Sequence, residues 1–198
     1  MSGRVVYLRP VLTSDYDFLY ALDLSMPNLL RYRFRGSTPS PDQYMQTLWN
    51  NVLAQFVCVD NASNRPAGLV FLYAPDLRNG HARIAGSITQ DQQWRHGLEA
   101  FGLLIDYAFE VFPLRKIYAE VFDFNLSQFS SLIDRRLFVE EGRLRQHEFM
   151  RGAYHDMVYL ALYKETWLTE GRGLLRGTAL LSVLKPRQTA KGTDERDR

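Results

Sequence analysis

The stretch Ile88-Thr-Gln-Asp-Gln-Gln-Trp-Arg-His-Gly-Leu-Glu-Ala100 joins an alternating apolar run to a long amphipathic run. Every second residue from 82 to 88 is small or apolar, which indicates a strand with one packed face. After the junction, apolar residues recur every three or four positions, at Leu98, Phe101, Ile105, Ala108 and Phe112. This spacing predicts a helix that opens at Gly97 and stops at Pro113. Because the first turn of a helix has unpaired N–H groups, the junction could bind an anion such as a phosphate.

Strand-like and helical runs surround this junction on both sides. The sequence predicts strands over 5–8, 56–60, 67–73, 81–89, 116–122, 138–150 and 154–163. It predicts a helix that begins near 14, a second over 41–53 and a third over 125–136. Ser40 and Gln43 would form the capping box of the second helix, and Asn125 would cap the third. The elements follow in the order β α α β β β α β α β β, with 56–60, 67–73 and 81–89 expected to pair as antiparallel neighbours and the last two strands as a terminal hairpin.

Composition and charge exclude several classes of protein. The 198 residues are 46% hydrophobic and 13% aromatic, which is typical of one globular domain with a sizeable core. The formal net charge is +2, and the basic excess lies after residue 164, so the body of the chain is nearly neutral. Nucleic-acid partners select a concentrated basic face, and we therefore expect none.

The single cysteine and the chain ends lead to further expectations. Cys58 lies within Phe56-Val-Cys-Val59 and is expected to be a small buried hydrophobe. No apolar run approaches the roughly 18 residues that span a bilayer, and the N-terminus lacks a signal-peptide pattern, so we expect a soluble, cytoplasmic protein without a membrane partner. Residues 168–198 form an extension, in which 174–184 could be a short apolar helix and the polar tail from Lys185 is expected to be disordered. The apolar helix could support a homodimer.

Seven short pieces, in this order along the chain, resemble the GCN5-related N-acetyltransferase (GNAT) superfamily, and within it the RimJ/RimL-type branch. The matching residues are Val6-Tyr-Leu-Arg-Pro10, Glu99-Ala100, Leu103-Leu-Ile-Asp-Tyr-Ala-Phe109, Ala119-Glu-Val-Phe-x-x-Asn125, Phe138-Val-Glu-Glu-Gly-Arg-Leu-Arg145, Gly152-x-Tyr-His-Asp156 and Glu165-x-Trp167. Each piece is short, and their shared order carries the resemblance. It covers residues 1–167, which we take as an acyl-CoA N-acyltransferase-like domain.

The resemblance implies an α+β fold with a central, mostly antiparallel sheet that is splayed between its fourth and fifth strands and flanked by helices. Acetyl-CoA, or another acyl-CoA, would be the co-substrate, with its pantetheine arm in the splay. The family's pyrophosphate turn falls on Gln92-Gln-Trp-Arg-His-Gly97. The resemblance thus implies a cofactor-binding set of Ile88, Gln92, Arg95, His96, Gly97, Leu98 and Asn125, and no metal.

Three positions depart from the family pattern. Arg95 stands where the first glycine of the turn is expected, and its side chain could obstruct the pyrophosphate or grip it directly. Leu137 replaces the glycine of the family's Gly-Phe pair. Ile133 stands where the family commonly has a tyrosine acid. These departures put cofactor binding in question more than the fold.

The reaction of the family, attack of a neutral amine on a thioester, needs a base for the amine and a donor for the thiolate. Glu120 is the first candidate base, although strand alternation places it opposite Ala119 and Val121. Ser130 and Ser131, and also Ser127, are candidate donors to the thiolate. Histidines and Asp156 are more simply explained as surface or turn residues.

Two functions remain open at this stage. The first is an acyl-CoA-dependent N-acetyltransferase that acts on a primary amine of a small molecule or on a protein N-terminus. The alternative is a catalytically silent domain of the same fold that binds a ligand or a protein partner. In either case the loop over 26–41, in which arginines alternate with aromatic residues, would help to select the bound molecule.

Overall fold

A computed structural model describes residues 1–26, 28–30, 33–89 and 93–173. The strands are β1 (Val6–Pro10), β2 (Val52–Asp60), β3 (Pro66–Asp76), β4 (His81–Ile88), β5 (Lys116–Phe122), β6 (Val139–Met150) and β7 (Ala153–Tyr163). The helices are α1 (Tyr16–Leu24), α2 (Pro41–Thr47), α3 (Gln93–Val111), α4 (Ser130–Asp134) and α5 (Lys164–Thr166). A 3₁₀ helix over Asp123–Phe129 precedes α4, and a π-helical turn over Trp167–Gly171 follows α5.

The seven strands form one sheet in the order β1-β2-β3-β4-β5-β7-β6. All neighbours are antiparallel except β4 and β5, which pair in parallel only from His81–Lys116 to Ile84–Ala119. Beyond those four pairs the two strands separate, while β4 stays paired with β3 and β5 with β7. The predicted mixed sheet, splayed between its fourth and fifth strands, is confirmed.

Helices cover the sheet on both faces. The apolar stripe of α3, with Ala100, Leu104 and Ala108 fully buried, packs on one face against Ile117 and Leu160. On the opposite face, α1 and α2 bury the following residues against β2 and β3: Leu19, Leu22, Tyr44, Leu48, Val57, Val59, Leu69 and Phe71. Because α1 and α2 pack on these two strands, their cluster does not extend to β5, β6 and β7.

Glu99 of α3 holds the beginning of the chain against the sheet. Its carboxylate accepts hydrogen bonds from the backbone N–H groups of Arg4, Val5 and Val6 at 2.6, 2.7 and 2.8 Å. Gly3 allows this close approach, because a Cβ at that position would lie 2.4 Å from Glu99 Cδ. One carboxylate thus satisfies the donors that enter β1 and ties that strand to α3.

Two helix boundaries differ from the sequence prediction. The first is the start of α3, which begins at Gln93 instead of Gly97. Glycine inside a helix costs only about 1 kcal/mol, so Gly97 is tolerated one turn into α3. The second is the end of α2, which stops at Thr47 because Val52 and Leu53 join β2, where Val52 pairs with Tyr73. The capping box of Ser40 and Gln43 is confirmed.

The predicted helix over 125–136 was also wrong in form. The segment folds as the 3₁₀ helix Asp123–Phe129 followed by the short α4. Asn125 lies inside the 3₁₀ helix and not at its cap, and its Oδ1 accepts a hydrogen bond from Gln128 Nε2 at 3.5 Å. Apolar contacts of Leu126 and Phe129 with the core support this tighter winding.

The segment after β7 packs back on α3. Trp167 is 3% exposed, and its Nε1 donates to Asp106 Oδ1 at 2.8 Å, while Arg172 Nε lies 2.5 Å from the same oxygen. Residues 174–198 lie outside the described residues. They include the predicted tail helix over 174–184, on which the predicted homodimer depends, and the polar end of the chain. The predicted division of the chain at 167 stays a prediction.

Of the helices in the described ranges, none is both long and apolar enough to cross a lipid bilayer.

Cys58 is fully buried in the core on the α3 face of the sheet, as predicted. Burial raises the pKa of its thiol to about 12, so the sulfur stays protonated and unreactive near neutral pH.

Replacing Glu99 by Gln tests the anchor of β1. The amide offers one acceptor where the carboxylate offers two, and its NH₂ group faces backbone donors. We therefore expect a loss of about 2 kcal/mol in the free energy of unfolding, measured by urea denaturation. Glu110→Gln, at an exposed position of the same helix, serves as the control and should change the stability little. Equal effects of the two substitutions would contradict the proposed anchor.

Candidate active site

Glu120 lies where the sheet opens. It is the first residue of β5 after the last β4–β5 pair, Ile84–Ala119. Its side chain points away from α3, as the alternation with Ala119 and Val121 predicts, and is 18% exposed. Glu120 Oε2 accepts a hydrogen bond from Tyr73 OH at 2.7 Å, and Oε1 lies 3.0 Å from Arg83 Nε. Both carboxylate oxygens are therefore held in place by neighbouring strands.

Tyr159 completes this group from β7, where it is the sheet partner of Glu120. The guanidinium carbon of Arg83 lies 5.7 Å from the centre of the Tyr159 ring. Burial, and next the hydrogen bond with Glu120, raise the pKa of Tyr159, which keeps its hydroxyl protonated. Arg83 and Tyr159 line a cleft of about 470 Å³. Its other lining residues are Ala74, His81, Tyr118, Glu141, Gly142 and Leu144.

A second ion pair forms one wall of the cleft. Glu141 Oε2 accepts hydrogen bonds from Lys116 Nζ at 2.5 Å and from Tyr118 OH at 2.6 Å, and Oε1 accepts one from Tyr163 OH. Lys116 Nζ also lies 4.7 Å from the centre of the Tyr118 ring. Burial opposes the ionisation of Glu141, but these hydrogen bonds outweigh it and lower its pKa to about 2. Glu141 is thus a fixed anion with a fixed counter-ion.

The first turn of α3 lies at the open end of the splay, directly after β4. Its position is fixed by His96, whose Nε2 lies 2.8 Å from Asp60 Oδ1 at the end of β2. Asp60 also accepts hydrogen bonds from the backbone N–H and the hydroxyl of Ser63, both at 2.7 Å. The hydrogen bonds from His96 and Ser63 strongly lower the pKa of Asp60. The contact of His96 Nε2 therefore positions the helix, while Nδ1 is buried without a hydrogen-bond partner among the described residues, and its assignment to cofactor binding stays a prediction.

The other members of the cofactor-binding set lie around this turn. Gly97 is buried, and a Cβ there would meet only Ile88 Cγ1, at 3.7 Å, so packing does not require glycine. Ile88 and Leu98 are half-buried apolar residues, and Arg95 is exposed on the first turn. Gln92 lies outside the described residues.

The serine candidates for the thiolate donor lie on α4. Ser130 is exposed, and its hydroxyl donates to the backbone oxygen of Ser127 at 3.0 Å. Ser131 is half-buried. Ser130 is therefore engaged with its own helix, and Ser131 is the better placed of the two. The assignment of Glu120, Ser130 and Ser131 to catalytic roles stays a prediction.

Packing explains two of the departures from the family pattern. Leu137 is 4% exposed and belongs to the core on the α3 face, next to the buried Phe138. Ile133 is half-buried and packs against the same core. Both residues therefore act as apolar packing residues of the α4 region.

Sequence reasoning did not find Tyr73, Arg83, Tyr159 or the Lys116–Glu141 pair. These side chains come from five different strands, so no spacing along the chain relates them. The period of two in β5 is the one available signal, since it places Lys116, Tyr118 and Glu120 on the face opposite the apolar core. In the described ranges, no group of three His, Cys, Asp or Glu residues could hold a metal ion.

Comparisons with known proteins identify amine acetyltransferases as relatives. The chain is 26% identical over 166 residues to the spermidine N(1)-acetyltransferase of Vibrio cholerae, which covers 81% of this chain and 94% of that protein. It is also 26% identical over 141 residues to YdaF of Bacillus subtilis, a protein named as a candidate ribosomal N-acetyltransferase, with 68% of this chain and 76% of that protein covered. No protein-family model matches the chain.

Solved structures agree with the fold. The Vibrio cholerae spermidine N-acetyltransferase in complex with CoA and spermine has a TM-score of 0.70 at 26% identity, covering 83% of this chain and 98% of that chain. A dodecameric structure of the same enzyme in an intermediate state has a TM-score of 0.67 at 24% identity, covering 83% and 96%. The seven-stranded splayed sheet with flanking helices is thus the GNAT fold.

Substitutions at position 97 test whether the first turn of α3 binds the pyrophosphate of CoA. Gly97→Asp would place a carboxylate near the first turn of α3, whereas Gly97→Asn adds a similar volume without charge. We expect CoA to bind about tenfold more weakly to the Asp variant than to the Asn variant, measured by calorimetry at low salt. The difference should shrink as salt is added. Equal affinities of the two variants for CoA would show that the pyrophosphate does not bind at this turn.

Acid unfolding tests the contact between His96 and Asp60. A carboxyl whose pKa is lowered by folding stabilises the protein above its unfolded pKa, near 3.9, and loses that contribution as the pH falls further. Asp60→Asn should therefore lower the melting temperature at pH 5, and the gap to the wild-type protein should narrow at pH 3. Asp134→Asn, at an exposed position on α4, is the control and should follow the wild-type curve. A gap independent of pH would refute this role of Asp60.

Proposed function

We propose that this chain holds acetyl-CoA in the splay and transfers the acetyl group to a small primary amine that binds beside Glu120. Its fold and its relatives are those of an acetyl-CoA-dependent N-acetyltransferase of the GNAT type. The observation that carries the proposal is the position of Glu120. Glu120 lies one residue beyond the last β4–β5 pair, at the inner end of the gap, and its carboxylate contacts Arg83, which lines an open cleft.

The separated strands suit the arm of an acyl-CoA. From Ala85 to Ile88 and from Glu120 to Phe122, each strand keeps its outer neighbour but lacks a partner across the gap. Backbone N–H and C=O groups in such a gap need polar partners, and the amides of a pantetheine arm can supply them. The pyrophosphate would then reach the first turn of α3, with Ile88 and Leu98 as apolar neighbours and Arg95, Gln92 and Asn125 as further contacts.

The chemistry requires one base and one acid. An alkyl ammonium has a pKa near 10, so a proton must leave before the nitrogen can attack the thioester carbon. We assign that proton to the Glu120 carboxylate. As the C–N bond forms the C–S bond breaks, and the second proton of the nitrogen passes to the leaving thiolate through a hydroxyl that accepts one proton and gives up another, for which Ser131 is better placed than Ser130.

The size of the cleft favours a small acceptor. About 470 Å³ is the size of a small-molecule site, and a protein N-terminus would have to enter as an extended segment. The RimJ/RimL-type branch is part of the same proposal, and the similarity to YdaF supports it. The silent-domain alternative has no support from the relatives, which are named as acetyltransferases.

Calorimetry with acetyl-CoA, followed by turnover of Glu120→Gln, tests the function. We expect acetyl-CoA to bind in the micromolar range and the Gln variant to bind it equally well, because its side chain points away from α3. The kcat of the variant should fall about 10²- to 10⁴-fold, since the amide cannot accept the proton. Glu110→Gln, at an exposed position of α3, is the matched control and should retain activity. A fully active Gln variant, or no binding at millimolar acetyl-CoA, would overturn the proposal.

A further inference from the structure

The carboxylates on the acceptor side of the sheet are each paired with a cation. Glu120 lies 3.0 Å from Arg83, Glu141 lies 2.5 Å from Lys116, and Glu148 lies 3.0 Å from Arg35. The charge of Glu148 also contributes, after burial and Glu120, to raising the pKa of Tyr159. Of these six side chains, Arg83 and Glu141 line the cleft, and Glu120 and Lys116 are their ion-pair partners.

This balance is unsuited to a polycation. A polyamine carries several ammonium groups near neutral pH, and each loses water when it enters a cleft. The loss is compensated only by carboxylates that have no other partner. Glu120, Glu141 and Glu148 are each already neutralised by a cation, and the nearby Arg83 and Lys116 would repel the ligand.

The Arg83–Glu120 pair is instead matched to a molecule that carries both charges. Nε of Arg83 faces Glu120, while its terminal nitrogens Nη1 and Nη2 form no hydrogen bond with any described residue. The Arg83 side chain is 37% exposed and lines the cleft, so these two donors can take a carboxylate side by side. Glu120 is then the adjacent acceptor for an ammonium group.

We propose that the acceptor is an α-amino acid, with Arg83 binding its carboxylate and Glu120 binding its ammonium group. When such a ligand binds, the charges of Arg83, Glu120 and the ligand are all paired, because the ligand supplies one anion and one cation. An α-amino acid separates its two charged groups by a single carbon atom, which fits donors and acceptors that lie in direct contact. This inference rests on the proposed function, and the same proton and bond changes apply to it.

The remaining lining indicates the type of side chain. Tyr118, Tyr159, Leu144 and Ala74 present aromatic and apolar surface in the same cleft. Tyr118 is held by its hydrogen bond to Glu141, so its ring has a fixed orientation. We therefore expect the enzyme to prefer amino acids with an apolar or aromatic side chain over those with a charged one.

Matched acceptors test the inference on the full-length protein. Phenylalanine, phenylalaninamide and spermidine are compared as acceptors with saturating acetyl-CoA, and the release of free thiol gives kcat/KM. We expect phenylalanine to exceed its amide by at least about tenfold, because the amide cannot form the charged contact with Arg83. Arg83→Gln should remove that preference by lowering kcat/KM for phenylalanine more than for the amide, and Arg83→Lys should restore part of it.

Two controls separate the possible failures. Arg78→Gln, in the exposed turn after β3, should leave the preference unchanged, and acetyl-CoA binding by calorimetry shows that each variant is folded. Equal rates with phenylalanine and its amide, or a preference for spermidine, would overturn the acceptor assignment and leave the N-acetyltransferase function intact. Acetyl-CoA that is bound but transferred to none of the three acceptors would equally overturn this assignment. Absence of acetyl-CoA binding would overturn the proposed function itself.

Discussion

The rest of the structure depends on the short parallel pairing between β4 and β5. Four residue pairs hold the two strands together, and after Ile84 and Ala119 they separate. The gap needs support from both sides, because unpaired strand edges in a sheet centre would otherwise be drawn together or exposed to water. β3 holds β4 and β7 holds β5 along their outer edges, so the opening is built into the pairing of the whole sheet.

Contacts to α3 hold the helix that starts at the open end of this gap. Glu99 ties α3 to the start of β1, and the contact of His96 with Asp60 ties its first turn to the end of β2. Asp106 binds Trp167 and Arg172 at the other end of the chain. Each contact joins charged or hydrogen-bonding groups that are distant in sequence. The direction of the helix N-terminus is thus set by several parts of the chain, as a binding site for an anion requires.

The sequence predicted the elements that follow from local periodicity. The stripe of α3, the terminal hairpin with its turn at Arg151 and Gly152, and the capping box of Ser40 are all local patterns, and the structure has them. The predictions from the sequence were wrong where tertiary contacts determine the local structure. Gly97 did not begin a helix, because one glycine inside a helix costs only about 1 kcal/mol and His96, just before it, is tied to Asp60. The residues after Phe122 wound as a 3₁₀ helix because Leu126 and Phe129 reach the core in that form. Glu120 was found from its strand, but Arg83 and Tyr73, which hold it, come from other strands.

The way in which Glu120 is held also bears on the chemistry. A carboxylate that receives a tyrosine hydroxyl and an arginine is oriented well, but both of its oxygens are already engaged. It becomes a useful base only if the acceptor takes over one of these partners. A zwitterionic acceptor does so without leaving Arg83 unpaired, whereas a simple cation has to compete with the guanidinium for the carboxylate. The same ion pair can thus hold the site rigid before the acceptor binds and discriminate among amines when it does.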